Sequence, residues 1–296
     1  MSKMMNNLLT VRIQEHMKHF SKGQRLIAKY IEEHYDKVAF MTASRLGATV
    51  GVSESTVVRF ATEIGYSGYP ELQQAMQEMI RSKLTSVQRM EVTAERIGEN
   101  DLLESIMNQD IEMIRRTLEE TSKEDFYAAA GAIASARKIY ILAARSSSAL
   151  GSFLYYYFTL MFERVKLVNS TSEAEIFEQM IRVNEQDTII GISFPRYSRK
   201  AVKAMNFASD RGAKVIAITD SPLSPLAEPA DYLLLARSDM ASIVDALVAP
   251  FSLIKALIVA AALKNREDVT HIFQQLEDIW DEYGVYEKVD EKSETV

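Results

Sequence analysis

Apolar positions in the first eighty residues recur three and four apart, the period of helices that bury one stripe. Phe20–Ile31 reads as a helix capped by Ser21, with Leu26, Ile27, Tyr30 and Ile31 as its apolar stripe and Lys22, Arg25 and Lys29 on other faces. Leu46 and Val50, four apart, share one face of a second, short helix. Val57, Phe60, Ala61 and Ile64 recur at i, i+3, i+4 and i+7, the stripe of a third. Between the second and third, Gly51 sits where a tight turn needs positive φ, and Val52 follows as its apolar plug. Ser53 is a suitable N-cap, and Gly47 leaves room for the two helices to approach closely. Gly65-Tyr-Ser-Gly-Tyr-Pro70 is a turn-rich loop; Pro70 fits the first position of a further helix with Leu72, Met76 and Ile80 on one side. Residues 1–80 are thus expected to form a compact all-helical unit.

The stretch 81–125 is polar and helix-favouring, with Leu102, Leu103, Ile106, Ile111, Ile114 and Leu118 as its apolar positions. It reads as connector helices, partly packed and placed at a dimer seam. Past residue 125 the pattern changes to five short β-favouring runs: Lys138–Ala143, Val165–Val168, Asp187–Ser193, Ala213–Asp220 and Asp231–Ala236. Runs apolar on both faces and alternating with helices imply a parallel sheet covered on both sides. Ser242–Lys264 and Thr270–Tyr283 read as closing helices, and 284–296 as a charged, disordered tail. The expected architecture is an all-α helix-turn-helix domain over 1–80, connectors over 81–125, and an α/β doubly wound parallel-sheet domain over 126–283.

Ala43–Phe60 has the spacing of a helix-turn-helix that reads DNA. The face of its second helix opposite the stripe carries Ser55, Thr56, Arg59 and Thr62, short donors and acceptors with one long cation, suited to base edges and phosphates. An ordinary αα-hairpin in a bundle would share single features of this stretch, but not all of them in register. A net charge of −7 seems wrong for DNA binding until it is divided. Residues 1–85 carry 11 Lys and Arg against 8 Asp and Glu, a balance of +3, and the remainder carries 23 against 33. Screening confines phosphate attraction to about 8–10 Å, so an acidic second domain is no obstacle.

Zero cysteines exclude disulfides and thiolate zinc sites, and His16, His19, His34 and His271 have no ligand spacing. The start of the chain lacks the series of a signal peptide. The apolar run Ser252–Leu263 is interrupted by Lys255 and is shorter than the ~20 residues of a membrane span. A cytoplasmic protein without metal, cofactor or membrane association is expected.

Three strand ends hold hydroxyl clusters: Ala144-Arg145-Ser146-Ser147-Ser148, Ser193 through Ser198 to Lys200, and Thr219-Asp220-Ser221 through Ser224. Hydroxyls and backbone N–H groups at helix N-termini suit an anion, and Arg145, Arg196, Arg199 and Lys200 strengthen that reading. Serine is also a preferred N-cap, so one cluster alone would carry little; three at one sheet edge converge on a single crevice. Neither G-x-G-x-x-G nor a Walker-type lysine is present, which speaks against a dinucleotide or ATP. The α/β region holds one histidine, His271, far in sequence from the hydroxyls, so a Ser-His-Asp hydrolase is poorly supported. Glu173, Glu175 and Glu178 open the helix after the second strand; they would serve as a general base in an isomerase, or simply as acids favoured by the helix dipole.

Taken together, these residues resemble the RpiR family of bacterial transcriptional regulators, which join an N-terminal helix-turn-helix to a C-terminal sugar isomerase (SIS) domain. The likeness spans roughly 10–280. Ser21-Lys-Gly-Gln-Arg, Ser53-Glu-Ser-Thr-Val-Val-Arg-Phe60 and Gly65-Tyr-Ser-Gly-Tyr-Pro-Glu-Leu72 are similar to that family's DNA-binding domain. Val215-Ile-Ala-Ile-Thr-Asp-Ser-Pro-Leu-Ser-Pro-Leu226 is similar to the fourth strand and following loop of its SIS domain. The resemblance implies a phosphosugar in the crevice, with Ser146 on the family's serine after strand one. Ser193 and Ser198 fall on the first Ser and the Thr of Ser-x-Ser-Gly-x-Thr. Two departures stand out: Ala143-Ala144-Arg145 replaces a glycine-containing turn, and Pro195-Arg196 replaces Ser-Gly. Gaining two arginines still suits an anion and makes an acidic sugar a rival to a phosphosugar.

The resulting expectation is a homodimeric or homotetrameric transcription factor, not an enzyme. Its partners are double-stranded operator DNA and a small anionic sugar or sugar phosphate effector. Ser53, Ser55, Thr56 and Arg59 would meet the DNA from the second helix, and Lys22, Arg45, Tyr66 and Ser67 would touch its backbone. Arg145, Ser146, Ser147, Ser193, Arg196, Ser198, Thr219 and Ser221 would surround the effector. The rival expectation is an SIS-type phosphosugar isomerase with a helical appendage.

Overall fold

A computed structural model describes residues 9, 11–80, 85–97, 101–169, 172–238 and 244–287. The chain divides into two compact units, the first built mainly from residues 1–100 and the second from most of 101–296.

The first unit is helical. A short helix α1 over 11–16 precedes α2 (Lys22–Val38), α3 (Ala43–Val50), α4 (Glu54–Glu63), α5 (Tyr69–Ile80) and α6 (Ser86–Ile97). Ser21 caps α2 through a capping box, accepting from the Gln24 N–H while its own N–H donates to the Gln24 side chain. Ile27, Ala28 and Ile31 of α2 meet Leu46, Val57, Phe60, Ala61, Ile64, Leu72 and Met76 in one core. Leu26, expected in that stripe, is 46% exposed; it lies about a quarter turn outside the buried arc. Pro70 is the second residue of α5, still within the first turn, where its missing N–H costs nothing. The side chain of Ile80, like residues 81–84, lies outside the described residues. Three α5 side chains pin the α2–α3 connection: the Tyr69 hydroxyl and the Gln73 amide donate to Met41 O at 2.9 and 2.7 Å, and the Gln77 amide donates to Ala39 O at 2.9 Å. Burial pushes the Tyr69 phenol well above its ordinary pKa, so it stays a donor.

The second unit opens with α7 (Leu102–Glu120) and α8 (Lys123–Ser135). A five-stranded all-parallel sheet follows, with β1 (Lys138–Ala143), β2 (Val165–Val168), β3 (Asp187–Ile192), β4 (Lys214–Thr219) and β5 (Tyr232–Leu235) in the order β2-β1-β3-β4-β5. α9 (Ser148–Met161) and α12 (Val248–Lys264) join α8 over one face, where Ile133, Leu150, Leu154, Phe158, Leu253, Ile254 and Leu257 pack on Ile139, Ile141, Ile190 and Ile216. α10 (Glu173–Gln179) and α11 (Arg199–Ser209) cover the other face through Ile176, Ala204, Met205 and Ala208. α13 (Arg266–Glu282) closes the unit. Two glycines permit close approach: a methyl at Gly151 of α9 would lie 2.7 Å from Ala143 Cβ, and one at Gly191 of β3 would collide with the Met205 thioether.

Two helix starts need correction. The helix expected from Ser242 begins at Val248, because 244–247 are not helical, and 239–243 lie outside the described residues. The helix expected from Thr270 begins at Arg266, directly after a sharp bend at Asn265. α7 is packed along one side, where Thr117 is buried, whereas its apolar positions Leu102, Leu103, Ile106, Ile111, Ile114 and Leu118 are exposed, at 37–72%. Residues 98–100 of the expected connector, and 288–296 of the expected tail, lie outside the described residues. No single described helix is long and apolar enough to cross a membrane.

Candidate DNA-reading helix and anion crevice

The α3–α4 corner is built by its backbone. Gly51 caps α3 at φ +75°, with its N–H on Gly47 O, and Val52 N–H reaches the same carbonyl at 2.8 Å. This is the αL C-cap that glycine adopts without strain. A methyl at Gly47 would sit 2.8 Å from Val52 O, so the glycine lets the turn close against α3. Ser53 stands at the N-cap position with extended backbone but makes no capping hydrogen bond to the helix. Its hydroxyl instead meets Ser55 Oγ at 2.9 Å and Thr56 Oγ1 at 2.8 Å, a corrected role for this residue.

Val57, Phe60 and Ala61 anchor α4 in the core, which leaves Ser55 and Arg59 exposed and Thr56 half-buried. The Arg59 guanidinium folds back to donate to Ser55 O at 3.2 Å, so the long cation lies along its own helix. Lys22, exposed at the start of α2, sits beside this surface. Its neighbour Gly23 abuts Val52 and Thr56, where a methyl would meet their side chains at 3.2 and 3.4 Å. Gln24 ties the same end of α2 to Glu63 through a short hydrogen bond. Arg45 is exposed on α3, and its N–H donates to the Thr42 cap at 3.1 Å. In the 65–67 loop Tyr66 is half-buried beneath the Arg12 guanidinium, 4.9 Å from the ring centroid, and burial raises its phenol pKa. Ser67 is exposed, and its N–H donates to Glu71 at 2.5 Å, which lowers the carboxyl pKa of Glu71. Arg12 lies 53 residues before the Gly65 carbonyl it reaches, and no local spacing in the sequence announces that pairing.

In the second unit the ends of β1, β3 and β4 lie side by side, since Ala143 pairs with Ile192 and Ile192 with Ile218. The three hydroxyl clusters therefore share one edge. From β1 the chain turns to α9 on one face, and from β3 to α11 on the other, so the crevice opens at the topological switch point between them. Arg145 opens a single 3-10 turn, Arg145–Ser147, at φ +58°, and Arg196 stands at φ +63°. Among the described residues these are the only non-glycines at positive φ. Such a conformation costs a long side chain about 1–3 kcal/mol. Both arginines and Ser146 are exposed, whereas Ser147 is buried.

The other hydroxyls are committed within their loops. Ser193 is buried, and its Oγ accepts the Ser198 N–H at 3.1 Å; Ser198 in turn caps α11 by accepting from Ala201 N–H. Thr219 is fully buried and pairs with Ser224 Oγ at 2.8 Å, so it clamps the β4 loop from inside instead of facing a ligand. Ser221, half-buried, accepts from Leu223 N–H. The Tyr197 hydroxyl donates to Asp220 Oδ1 at 2.9 Å and joins the β3 loop to the β4 loop, a link that spacing alone did not suggest.

Glu173, the base an isomerase would need, is exposed and bridged to Lys203 at 2.6 Å. That bridge holds its carboxyl below the ordinary range and makes it a weaker proton acceptor. His271 lies on the exposed side of α13, beside Gln275. A mostly apolar groove of about 780 Å³ between α8 and α12, lined by Tyr127, Lys255, Val259 and Leu263, lies away from the strand ends.

A helix-turn-helix unit followed by a parallel α/β unit of this strand order defines a two-domain protein with a DNA-reading fold and a sugar-isomerase fold. Comparison with known proteins agrees: residues 6–83 match the helix-turn-helix domain of the rpiR family, and 132–260 match the SIS domain. The chain belongs to the RpiR family of transcriptional regulators, with helix-turn-helix and SIS domains. It is 25% identical to an uncharacterised HTH-type transcriptional regulator of Caldanaerobacter subterraneus subsp. tengcongensis, over 93% of this chain and 97% of that one. It is 25% identical to the HTH-type transcriptional regulator HexR of Pseudomonas aeruginosa, over 75% and 76%. Among solved structures it is similar to the sugar isomerase domain of an RpiR transcription factor from Sphaerobacter thermophilus (TM-score 0.57, 25% identity, 60% of this chain and 98% of that one). It also shares its fold with the Vibrio vulnificus NanR protein complexed with ManNAc-6P (TM-score 0.56, 20% identity, 93% and 98%).

Proposed function

We propose that this protein is a DNA-binding regulator, not an enzyme, whose hold on its operator is set by a small anionic metabolite in the SIS crevice. A phosphosugar or an acidic sugar is the proposed class. The reading is carried by α4: its apolar stripe is buried, and its opposite face presents Ser55, Thr56 and Arg59 beside Lys22. In this reading residues 1–80 read DNA, 126–283 sense the effector, and 81–125 connect them. The sugar phosphate held by NanR supports the ligand class. The outward apolar face of α7 supports a homodimer, because Met107, Ile111, Ile114 and Leu118 follow the 4-3-4 spacing of a helix–helix seam. The C-terminus of α7 grips the end of β5: Thr117 Oγ1 accepts the Arg237 N–H at 2.8 Å, Thr121 Oγ1 donates to Leu235 O at 2.7 Å, and Glu120 pairs with Arg237. That grip supplies a mechanical route from the ligand edge to the connector.

The test begins with duplexes enriched from a randomised pool by the full-length protein. Arg59→Ala is then compared with wild type at matched salt. Losing one base-edge contact of about 1–3 kcal/mol should weaken binding roughly 5- to 150-fold while the melting profile stays unchanged. Equal affinity would show that α4 is not the reading helix. Turnover of an aldose or ketose phosphate that disappears in Glu173→Gln would instead establish an isomerase.

A further inference from the structure

We infer that Arg12, on α1, is a positioning residue for DNA reading, a role that rests on the DNA-reading proposal above. Its guanidinium clamps the 65–67 turn at the end of α4 and so sets the register in which α4 meets the duplex. α1 stands outside the α3–α4 pair, yet it is anchored in the same core. Leu9, just before α1, and Ile13 within it are buried with Val57, Phe60 and Ile64, and the Gln14 amide donates to Glu32 of α2 at 2.8 Å. The end of α4 that Arg12 reaches is a glycine turn. Gly65 stands at φ +90°, its N–H donates to Thr62 O, and the Tyr66 N–H donates to Ala61 O, both at 3.1 Å. The Gly65 carbonyl accepts from Arg12 Nη1 at 3.4 Å, and the same guanidinium lies 4.9 Å from the Tyr66 ring centroid. A cation there also meets the negative end of the α4 dipole. From α5, Glu71 accepts the Ser67 N–H at 2.5 Å. The turn that leaves the reading helix is thus held by α1 through a cation and by α5 through a carboxylate.

Arg12 is placed to hold this turn and not to grip a phosphate itself. Its side chain is half-buried and stacked on Tyr66. The Glu71 carboxylate lies within its electrostatic reach, held below the ordinary pKa first by the Ser67 hydrogen bond and further by the Arg12 charge. Contacts to the DNA backbone fix a protein's register, and contacts to base edges read sequence. Tyr66 and Ser67 are the proposed backbone contacts just past α4. If their turn drifts, Ser55, Thr56 and Arg59 lose alignment with their bases while the overall charge that attracts DNA is nearly the same.

The full-length protein, Arg12→Ala and Arg12→Lys are titrated with an enriched duplex and with a random duplex over a salt series, and exchange of the Tyr66 amide is followed without DNA. Arg12→Ala should lose about ten-fold or more in affinity for the enriched duplex, the scale of one base contact, while its affinity for the random duplex and its salt slope stay close to wild type. Arg12→Lys should be as weak as Arg12→Ala, because lysine keeps the charge but not the planar face that lies on Tyr66. The Tyr66 amide should exchange faster in both variants. Rescue by lysine, or a salt slope smaller by about one, would make Arg12 a phosphate contact and overturn the inference. Unchanged Tyr66 exchange would overturn it too, as would equal losses on both duplexes that follow a fall in melting temperature. A preference for the enriched duplex that survives in Arg12→Ala would remove this inference alone. Absence of that preference in wild type would remove the regulator reading itself, and this inference with it.

Discussion

Gly47→Ala tests whether the α3–α4 corner sets the position of the reading helix. The added methyl would lie 2.8 Å from Val52 O, closer than real Cβ contacts come, and 3.3 Å from Glu54 N, tighter than nearly all of them. Both neighbours are backbone atoms, and Val52 N–H is itself bonded to Gly47 O at 2.8 Å, so no side-chain rotation relieves the clash. The start of α4 must shift by a few tenths of an ångström, at an overpacking cost of about 1–3 kcal/mol. Gly51→Ala is the control. Nothing lies within 4 Å of its added methyl, but φ +75° costs an L-residue about 1–2 kcal/mol with no displacement of α4. Because the chain has two compact units, a single melting curve is a poor gauge, and amide exchange along α4 is the better assay. At about 1.4 kcal/mol per decade, Gly47→Ala should exchange roughly 5- to 150-fold faster and Gly51→Ala roughly 5- to 30-fold faster. Only Gly47→Ala should also lose duplex affinity beyond what its stability loss explains, because a misplaced helix misaligns every contact. Unchanged α4 protection in Gly47→Ala would refute the reasoning.

Three further outcomes are expected. Asp187→Asn breaks a bidentate pair to Arg137 (2.9 and 2.7 Å) in which the aspartate side chain has no exposure and the arginine keeps 36%. Discounted for that exposure, the loss should be about 2–3 kcal/mol in denaturant midpoint, below the ~3–5 of a fully buried pair. Thr117→Val removes the acceptor of the Arg237 N–H and should cost about 1–2 kcal/mol, seen as faster exchange at that amide. For Glu173 the folded pKa is depressed by Lys203, so the bridge contributes above the ordinary carboxyl value of about 4.3 and is lost as pH falls through the folded value. The melting difference between wild type and Glu173→Gln should therefore stay constant from pH 7 to about 5 and disappear once pH falls below the depressed folded value.

What was readable beforehand follows from which signals are local. The stripe Val57-Phe60-Ala61-Ile64 and the turn glycine at 51 rest on short-range periodicity and φ preference, and the structure buries the first and places the second at φ +75°. The five strands lie within a residue or so of the expected runs because a strand covered on both faces must be apolar throughout. Leu26 misled because a stripe's width is set by the neighbours it meets, not by the helix that bears it. The sequence marks an apolar face on α7, but not that this chain leaves that face open. The committed hydroxyls of Ser193 and Thr219, the left-handed arginines and the Tyr197–Asp220 link depend on loop geometry, which has no period to read.

The central claim is that one ligand edge and one reading helix are coupled. It is tested most directly by titrating a selected duplex with full-length protein, with and without the anionic sugar that most stabilises the protein in a thermal-shift panel. Operator affinity should change about 5- to 150-fold, and DNA should change ligand affinity by the same factor, as linkage requires. Saturation of the crevice with no change in operator affinity would contradict the account.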